Sequence, residues 1–348
     1  MRQWREAGTS DRQATGQPCR APIRKGPMPE DIPFESAESG KAEPDESRAL
    51  DSVMAERHRL LSLAFRMMGT LADAEDVVQE TYVRWYRLDP EERDKIVTPA
   101  AWLMRVASRI SLDLLGSARA RRETYVGQWL PEPVPADLFA ETAVAPLNSS
   151  HLAADPLERV TLDDAVSMAL LTVLEAMTPA ERVTFVLHDV FGVPFDEIAG
   201  VVGRSAAATR QLATSARRHV RRGRRAQVSS HQHDEVVRAF RGATAGGDIE
   251  GLLRVLSPDV ELRVDGGGFV NAAPRVIRGS DHVARWFMGV MRKQPALRFE
   301  RRDTADGLGF ILRDEGRRYG IVTFDVSDQG VTNVWLMLNP MKLTNWSL

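Results

Sequence analysis

The chain has 348 residues with a formal net charge of −2, and 43% of the residues are hydrophobic and 27% charged. This composition is typical of globular proteins, and the length allows two or three domains. The single cysteine, Cys19, excludes an internal disulfide and a cysteine-based zinc site, and no apolar run is long enough to cross a bilayer. We therefore expect a cytoplasmic protein without a metal, a cofactor or a membrane partner.

Residues 1–48 form a segment rich in proline, glycine, serine and charge, in which apolar residues follow no regular period. A segment of this kind cannot bury enough apolar surface to offset the entropy that ordering would remove. We predict that this N-terminal extension is disordered.

Residues 50–125 contain three patterns typical of amphipathic helices. The second, from about 71 to 87, has an apolar stripe on one side and an acidic face on the other. The acidic face offers candidate binding residues to a partner: Asp76, Gln79 and Glu80.

A polar segment from 88 to 97 is predicted to be a loop. After it, Thr98 and Pro99 favour the start of a third helix, because a capping residue is followed by a proline at the first helical position. This helix carries a cationic strip: Arg105, Arg109, Arg119, Arg121 and Arg122. Taken alone, the strip fits a DNA contact and a solvated helix face equally well.

Residues 126–156 are rich in proline and predict an extended linker that contains the motif WLPEP, from Trp129 to Pro133. A tryptophan in a flexible linker would expose a large apolar surface. Trp129, Pro131 and Pro133 are therefore expected either to dock on another part of the protein or to form a local cluster with their own neighbours, and the sequence fits both equally well.

Residues 157–225 predict helices at about 179–191, 195–202 and 205–222, with Thr178 and Glu181 able to form a capping box at the first. The last two helices have the geometry of a helix-turn-helix whose second helix enters the major groove of DNA. Arginine is concentrated here although the whole chain is slightly acidic. The candidate DNA-binding residues are Ser205, Arg210, Gln211, Thr214, Arg217, Arg218 and Arg221.

Residues 231–343 have a different pattern, in which helices come first and a run of alternating strands follows. This order predicts an α+β domain with a curved antiparallel sheet that encloses a cavity. The expected helices lie near 233–245, 247–256 and 280–292, and the strands near 260–264, 297–304, 308–313, 317–326 and 330–338.

Together these parts resemble extracytoplasmic-function (ECF) sigma factors of the sigma-J type, which carry a SnoaL-like C-terminal domain. Residues 60–86 and 98–126 resemble sigma region 2, and residues 178–222 resemble sigma region 4. Three short signatures occur in the expected order: the WLPEP motif, Asp265 to Gly268, and Asn339 to Leu343. The predicted fold is therefore two all-α domains followed by an α+β domain.

The resemblance implies a role for each part. The acidic helix face would bind core RNA polymerase, region 2 would hold the melted −10 element, and region 4 would read the −35 element. The C-terminal domain would modulate activity through contacts between the domains. The residues implied are those of the three signatures: Trp129, Pro131, Pro133, Asp265, Gly266, Gly267, Gly268, Asn339, Pro340, Lys342 and Leu343.

Two other functions stay open at this stage. The chain could be a helix-turn-helix regulator that responds to a small ligand in its C-terminal domain. SnoaL-like folds also include cyclases and isomerases, whose chemistry needs an acid or base inside the cavity. The nearest candidates for that role are Asp265, His282 and Asp325.

Overall fold

The structure, a computed structural model, describes residues 53–123, 125–139, 166–223 and 228–346. The predicted disordered extension, the linker beyond residue 139 and the predicted boundary at 156 lie outside these ranges. So do the side chains of Arg119, Arg121 and Arg122, although helix Pro99–Glu123 includes their backbone. None of the described helices is long and apolar enough to cross a membrane.

The first helical region, residues 53–123, is a bundle of four helices joined by short turns. Gly69 ends the first helix in the left-handed conformation, and Thr70 caps the second by accepting a hydrogen bond from the Asp73 N–H. The helices are α1 (Arg57–Met68), α2 (Leu71–Tyr86), α3 (Pro90–Asp94) and α4 (Pro99–Glu123). The prediction of a plain loop from 88 to 97 was wrong, because Pro90 stands at the first position of a helical turn.

The second helical region, residues 166–223, has the predicted helix-turn-helix. The capping box of Thr178 and Glu181 is present, and Ser205 accepts a hydrogen bond from the Ala208 N–H at 3.2 Å. The helices are α5 (Met168–Glu175), α6 (Pro179–Phe185), α7 (Phe195–Val202) and α8 (Ala206–Gly223). One π-helical turn, Val186–Val190, extends α6 toward the turn at Gly192.

The two helical regions share one hydrophobic cluster, which runs from Val53 in the first to Val220 in the second. Arg182 of α6 is almost fully buried in this contact, where it donates to the Met67 carbonyl at 2.8 Å and pairs with Glu175 at 2.7 Å. Because buried polar groups need partners, this arginine fixes how the two regions meet.

The C-terminal domain, residues 228–346, consists of three helices and one sheet in its described part. The helices are α9 (Ser230–Gly246), α10 (Ile249–Val255) and α11 (Ser280–Lys293). The strands are β1 (Leu256–Asp265), β2 (Ile277–Arg278), β3 (Arg298–Thr304), β4 (Gly307–Asp314), β5 (Arg317–Ser327) and β6 (Gly330–Met337). Two 3₁₀ turns, Pro340–Lys342 and Thr344–Trp346, follow the last strand.

The strand order in this sheet is β2-β1-β6-β5-β4-β3. Strands β3 to β6 form the predicted antiparallel meander, but β1 pairs with β6 in parallel, with Leu262 opposite Val334 and Asp265 opposite Met337. The sheet is therefore mixed: the predicted antiparallel pairing holds for the other strand pairs, and β1 with β6 is the exception among the described strands. The parallel pairing places the C-terminal ends of β1 and β6 side by side.

Each face of the sheet covers a different hydrophobic cluster, because side chains alternate along a strand. On one face, Val334 and Leu336 belong to the core formed with the helices of the same domain. On the other face, Trp335 and Met337 pack with Leu130 of the linker and with further residues of α5 and the chain terminus. The second face therefore binds the rest of the protein to this domain.

Candidate functional site

The carboxylate of Asp265 lies at the end of β1, is fully buried and binds the linker segment, residues 125–139. It accepts hydrogen bonds from the Tyr125 hydroxyl at 2.6 Å, the Leu130 N–H at 3.0 Å and the Gly267 N–H at 3.0 Å. Burial and the hydrogen bond to this carboxylate raise the pKa of Tyr125 above its usual range. Asp265 is thus committed to a structural contact between linker and domain.

Lys342 completes this contact from the other end of the domain. Its ammonium lies 2.8 Å from the Asp265 carboxylate and donates to the Leu130 carbonyl at 2.6 Å. It also lies 4.2 Å from the ring centroid of Trp129, a distance that gives a cation–π contact. Nearby, the Asn339 side chain donates to the Tyr125 hydroxyl at 2.7 Å. We call these six residues the clamp: Tyr125, Leu130, Asp265, Gly267, Asn339 and Lys342.

Glycine is required within the clamp for two reasons. Gly267 has a φ of +62°, a conformation that side chains disfavour, and a Cβ there would lie 2.4 Å from the Asn339 side chain. Gly266 and Gly268 flank it, and the chain of Gly268 passes close to Val126 of the linker. The glycine run therefore allows the close approach of linker and domain.

Glu132 extends the contact from the linker to the first helical region. It is 2% exposed, and its carboxylate accepts from the Leu71 N–H at 2.9 Å, at the start of α2. The other oxygen of the same carboxylate accepts from the Asn345 side chain at 3.2 Å. Burial raises the pKa of Glu132, and the hydrogen bond from the Leu71 N–H opposes that shift. Trp346 donates from its indole to the Pro133 carbonyl at 2.9 Å. The WLPEP motif thus joins α2 to the C-terminal domain.

Asp306 makes a direct contact between the C-terminal domain and the second helical region. It lies in the turn between β3 and β4, and its carboxylate accepts from the Met168 N–H at 2.7 Å, at the start of α5. Burial raises the pKa of Asp306 to about 8, although the N–H donors of α5 oppose the shift. This half-buried acceptor at a helix N-terminus ties α5 to the sheet.

Helix α8 presents most of its predicted DNA-binding side chains to solvent. Arg210, Gln211, Thr214, Arg218 and Arg221 are exposed on one side, while Thr209, Ala213, Ala216 and Val220 are buried on the other. The guanidinium of Arg210 lies 5.5 Å from the ring centroid of Phe195, at the start of α7. The recognition face is therefore open in this arrangement.

Arg217 is the exception on α8. Its side chain is 26% exposed, and its Nε lies 2.6 Å from the Oδ1 of Asp189, a carboxylate buried in the π-helical turn. Burial raises the pKa of Asp189 and the arginine opposes that shift. This candidate DNA-binding residue follows Ala216 at the edge of the buried stripe and pairs within its own region.

Two arginines of the cationic strip on α4 contact α7. Arg109 donates to the Val201 carbonyl at 2.8 Å, near the C-terminal end of α7, where a cation is favoured by the helix dipole. Arg105 lies 3.9 Å from the carboxylate of Glu197. We call these two contacts the seam. The predicted −10 helix is thus engaged by the helix-turn-helix of the same chain.

The acidic face of α2 remains accessible. Asp76 and Gln79 are exposed, and Glu80 pairs with Arg84 one turn further along the same helix at 2.9 Å. An i,i+4 pair on a helix surface contributes only a few tenths of a kcal/mol, about 0.3–0.5. A partner could therefore replace it readily.

None of the three candidate catalytic residues lines the cavity in the described part of the C-terminal domain. Asp265 belongs to the clamp, and His282 is exposed with its Nδ1 near the Arg278 carbonyl at 3.0 Å. Asp325 accepts hydrogen bonds from Thr332 and Asn333 on the neighbouring strand. The lining includes Lys293 and Tyr319 but no carboxylate or imidazole that would act as a general base.

Comparison with known proteins identifies both helical regions. Residues 53–121 match the family model for Sigma-70 region 2, and residues 167–220 match that for Sigma-70 region 4. Over 301 residues the chain is 39% identical to the ECF RNA polymerase sigma factor SigJ of Mycobacterium tuberculosis, which covers 83% of this chain and 91% of that protein. This chain belongs to the ECF sigma factors.

A second relative and a solved structure are also similar to this sigma factor over most of its length. It is 35% identical over 297 residues to a probable ECF sigma factor, SigI, of the same organism, covering 83% of this chain and 92% of that protein. The crystal structure of M. tuberculosis SigJ has a TM-score of 0.62 and 36% identity, covering 85% of this chain and 98% of that one. This sigma factor therefore directs promoter-specific transcription initiation by RNA polymerase, and its C-terminal domain has the predicted SnoaL-like fold.

Several residues that join the parts of this sigma factor were not predicted. Glu132 lies inside WLPEP, and Trp346 is a large aromatic residue just beyond the predicted end of the domain at 343, so the sequence carried a signal for both. Tyr125 and Asp306 carried no such signal in the sequence, because the hydrogen-bond partner of each lies more than a hundred residues away along the chain.

Proposed function

We propose that the C-terminal domain and the clamp hold regions 2 and 4 of this sigma factor in an arrangement that limits promoter opening. In that arrangement region 4 keeps its recognition helix exposed, whereas the −10 helix of region 2 lies against α7. Duplex DNA could then bind to region 4 before the −10 element is accessible to region 2. Loosening the clamp would let the two regions separate.

The observation that carries this proposal is the seam. Arg105 and Arg109 lie on the helix that is expected to hold the melted −10 element, and in this arrangement they bind groups of α7. Both side chains keep about half of their surface exposed, at 59% and 52%. Phosphates could therefore replace Glu197 and the Val201 carbonyl once region 4 moves away.

The same proposal assigns the acidic face of α2 to core RNA polymerase. Asp76, Gln79 and Glu80 lie on the side of α2 that faces away from the shared hydrophobic cluster. A carboxylate-rich helix face is suited to a basic partner and is unsuited to DNA. Polymerase binding and DNA binding would then use separate surfaces of region 2.

The test reconstitutes the full chain with core RNA polymerase and measures initiation from a promoter selected from random DNA by that complex. Three proteins are compared: the unmodified chain, a chain ending at residue 227, and the clamp variant Lys342→Met. We expect both altered proteins to start transcription several-fold more often. Arg254→Met serves as control, because it removes an exposed cation of the same domain, paired with Asp248 outside the clamp.

Equal initiation from all four proteins would contradict the role of the clamp. Loss of initiation by the truncated chain and by Lys342→Met would show that the domain is needed for activity, which also opposes the proposal. The polymerase assignment has its own test. Glu80→Lys should weaken binding to core polymerase while leaving binding of region 4 to duplex DNA unchanged.

A further inference from the structure

The C-terminal domain contains a cavity of about 390 Å³ between its sheet and helix α11. This volume lies in the range of small-molecule sites, about 300–1,000 Å³. The lining is mostly apolar and contains four aromatic side chains, those of Trp286, Phe287, Phe299 and Tyr319. Such a lining favours a flat, apolar molecule over a strongly polar one.

One wall of the cavity carries a polar group with unused hydrogen-bonding capacity. The Gln294 side chain donates to the Tyr319 hydroxyl at 3.0 Å, while its Oε1 atom is buried and has no hydrogen-bond partner among the described residues. Buried acceptors are rarely left unpaired in folded proteins. A ligand N–H or O–H at this position would satisfy the carbonyl oxygen.

Two walls of the cavity continue directly into the clamp. The loop that supplies Val270, Ala272 and Ala273 follows the glycine run, and Gln128 of the linker donates to the Ala273 carbonyl at 3.0 Å. A molecule that moves this loop therefore changes a contact with the linker.

The second wall is the end of β6, where Leu336 and Leu338 face the cavity. The N–H groups of Leu338 and Asn339 donate to the Asp265 carbonyl at 2.7 and 3.0 Å. The backbone that lines the cavity thus also positions the buried carboxylate of the clamp. This segment therefore connects the cavity directly to the clamp.

We propose that this cavity binds a small, uncharged, largely apolar aromatic molecule with one N–H or O–H group, and that its occupancy changes the stability of the clamp. The cavity shares two walls with the clamp, so we expect the ligand to bind the closed and open clamp with different affinities. A ligand with different affinities for two states shifts the equilibrium between them. The regulatory meaning of this coupling rests on the proposed function, but the binding and the coupling can be measured without it.

The binding test uses N-phenyl-1-naphthylamine, a neutral aromatic probe with a single N–H whose fluorescence rises in apolar surroundings. We expect saturable binding to the full chain, at least about tenfold weaker binding by Val290→Trp, which fills the cavity, and roughly 2- to 12-fold weaker binding by Gln294→Leu. Leu253→Trp is the matched control, because it adds a tryptophan at an exposed position outside the cavity. Circular dichroism checks that each variant is folded.

Binding that is equal in the unmodified chain, Val290→Trp and Gln294→Leu would overturn the site. A groove that shares Met291, Leu297 and Phe299 with the cavity is lined by several arginines, among them Arg241 and Arg292. The anionic analogue 8-anilinonaphthalene-1-sulfonate is therefore titrated in parallel. Binding of the anionic probe alone would overturn the assignment of an uncharged ligand.

The coupling test measures hydrogen exchange of the Leu130 N–H, which donates to Asp265 in the clamp. We expect the neutral probe to change this exchange rate at least about twofold in the unmodified chain and not in Val290→Trp. An unchanged rate at saturating probe would overturn the coupling. This readout is independent of transcription, so a failure of the proposed function, seen as unaltered initiation by clamp variants, is distinguishable from a failure here.

Discussion

The clamp and the seam both join parts of this sigma factor through cations, but burial gives the two contacts different strengths. The side chains of Lys342 and Asp265 are 7% and 0% exposed, whereas those of Arg105 and Glu197 are 59% and 46% exposed. Removing one partner of a buried pair leaves an uncompensated charge and costs about 3–5 kcal/mol, while an exposed pair contributes about 0–1 kcal/mol. The clamp can therefore hold the arrangement, and the seam can exchange partners.

The largest expected effect comes from breaking the buried pair. Lys342→Met leaves Asp265 without its cation, so the free energy of unfolding of the full chain should fall by about 3–5 kcal/mol. Urea denaturation measures this change. Adding Asp265→Asn to the same chain should recover part of the loss, because the unpaired charge is then gone. A fall below about 1 kcal/mol would contradict the strength assigned to the clamp.

Gly267→Ala tests the close approach within the clamp rather than its charge. The new Cβ would meet the Asn339 side chain at 2.4 Å and would hold a φ of +62°, so we expect a loss of about 1–3 kcal/mol in urea denaturation. Gly289→Ala is the control, because that glycine lies within α11 with no atom near its Cβ position. It should stabilise the chain by about 0.5–1 kcal/mol.

Asp306 makes the contact with α5 sensitive to pH. Its pKa in the folded chain, about 8, lies above the ordinary value of 3.8, so the folded state binds the proton more tightly than the unfolded state. The stabilisation linked to this proton is complete below the ordinary value and is lost as pH rises toward and through 8. Asp306→Asn does not titrate, and its stability should decline less than that of the unmodified chain between pH 5 and 8.

That difference is measured by urea denaturation of both proteins across the pH range. Parallel pH profiles for Asp306→Asn and the unmodified chain would mean that the carboxyl group titrates normally. Asp314→Asn, at the end of β4 in the same sheet, controls for the loss of one half-buried acid.

The smallest effect is expected at the seam. Arg105→Ala should change the free energy of unfolding by no more than about 1 kcal/mol, because its partner is exposed and 3.9 Å away. If Arg105 contacts a phosphate in the open promoter, the same substitution should lower the slope of log affinity against log salt concentration by about 1. Arg84→Ala, on the proposed polymerase-binding face of α2, should leave that slope unchanged.

Local features of this fold could be predicted from the sequence because they depend on nearby residues. The capping box at Thr178, the cap at Ser205 and the buried stripe of α8 all follow from spacings of three or four residues. The presence of Trp129 in a proline-rich segment also indicated a packing contact for the linker, but docking and a local cluster fitted the sequence equally well.

Pairings between distant residues could not be predicted in this way. The parallel pairing of β1 with β6 joins strands about 70 residues apart, and a meander pattern gives no sign of it. Arg217 carries a charge typical of a DNA contact, but its partner Asp189 lies in the π-helical turn that follows α6. Asp306 likewise accepts a hydrogen bond from the first turn of α5, in another region of the chain. Neither the β3–β4 turn nor the start of α5 has a sequence pattern that predicts this contact.

The parallel pairing of β1 with β6 also has a consequence for synthesis on the ribosome. Asp265 and Lys342 come together only after β6 has joined the sheet, so the clamp forms late, when regions 2 and 4 have already emerged. At about 5–20 residues per second, the roughly 120 residues between α8 and Lys342 take about 6–24 s to make. During that interval each nascent chain carries both promoter-reading regions without the clamp.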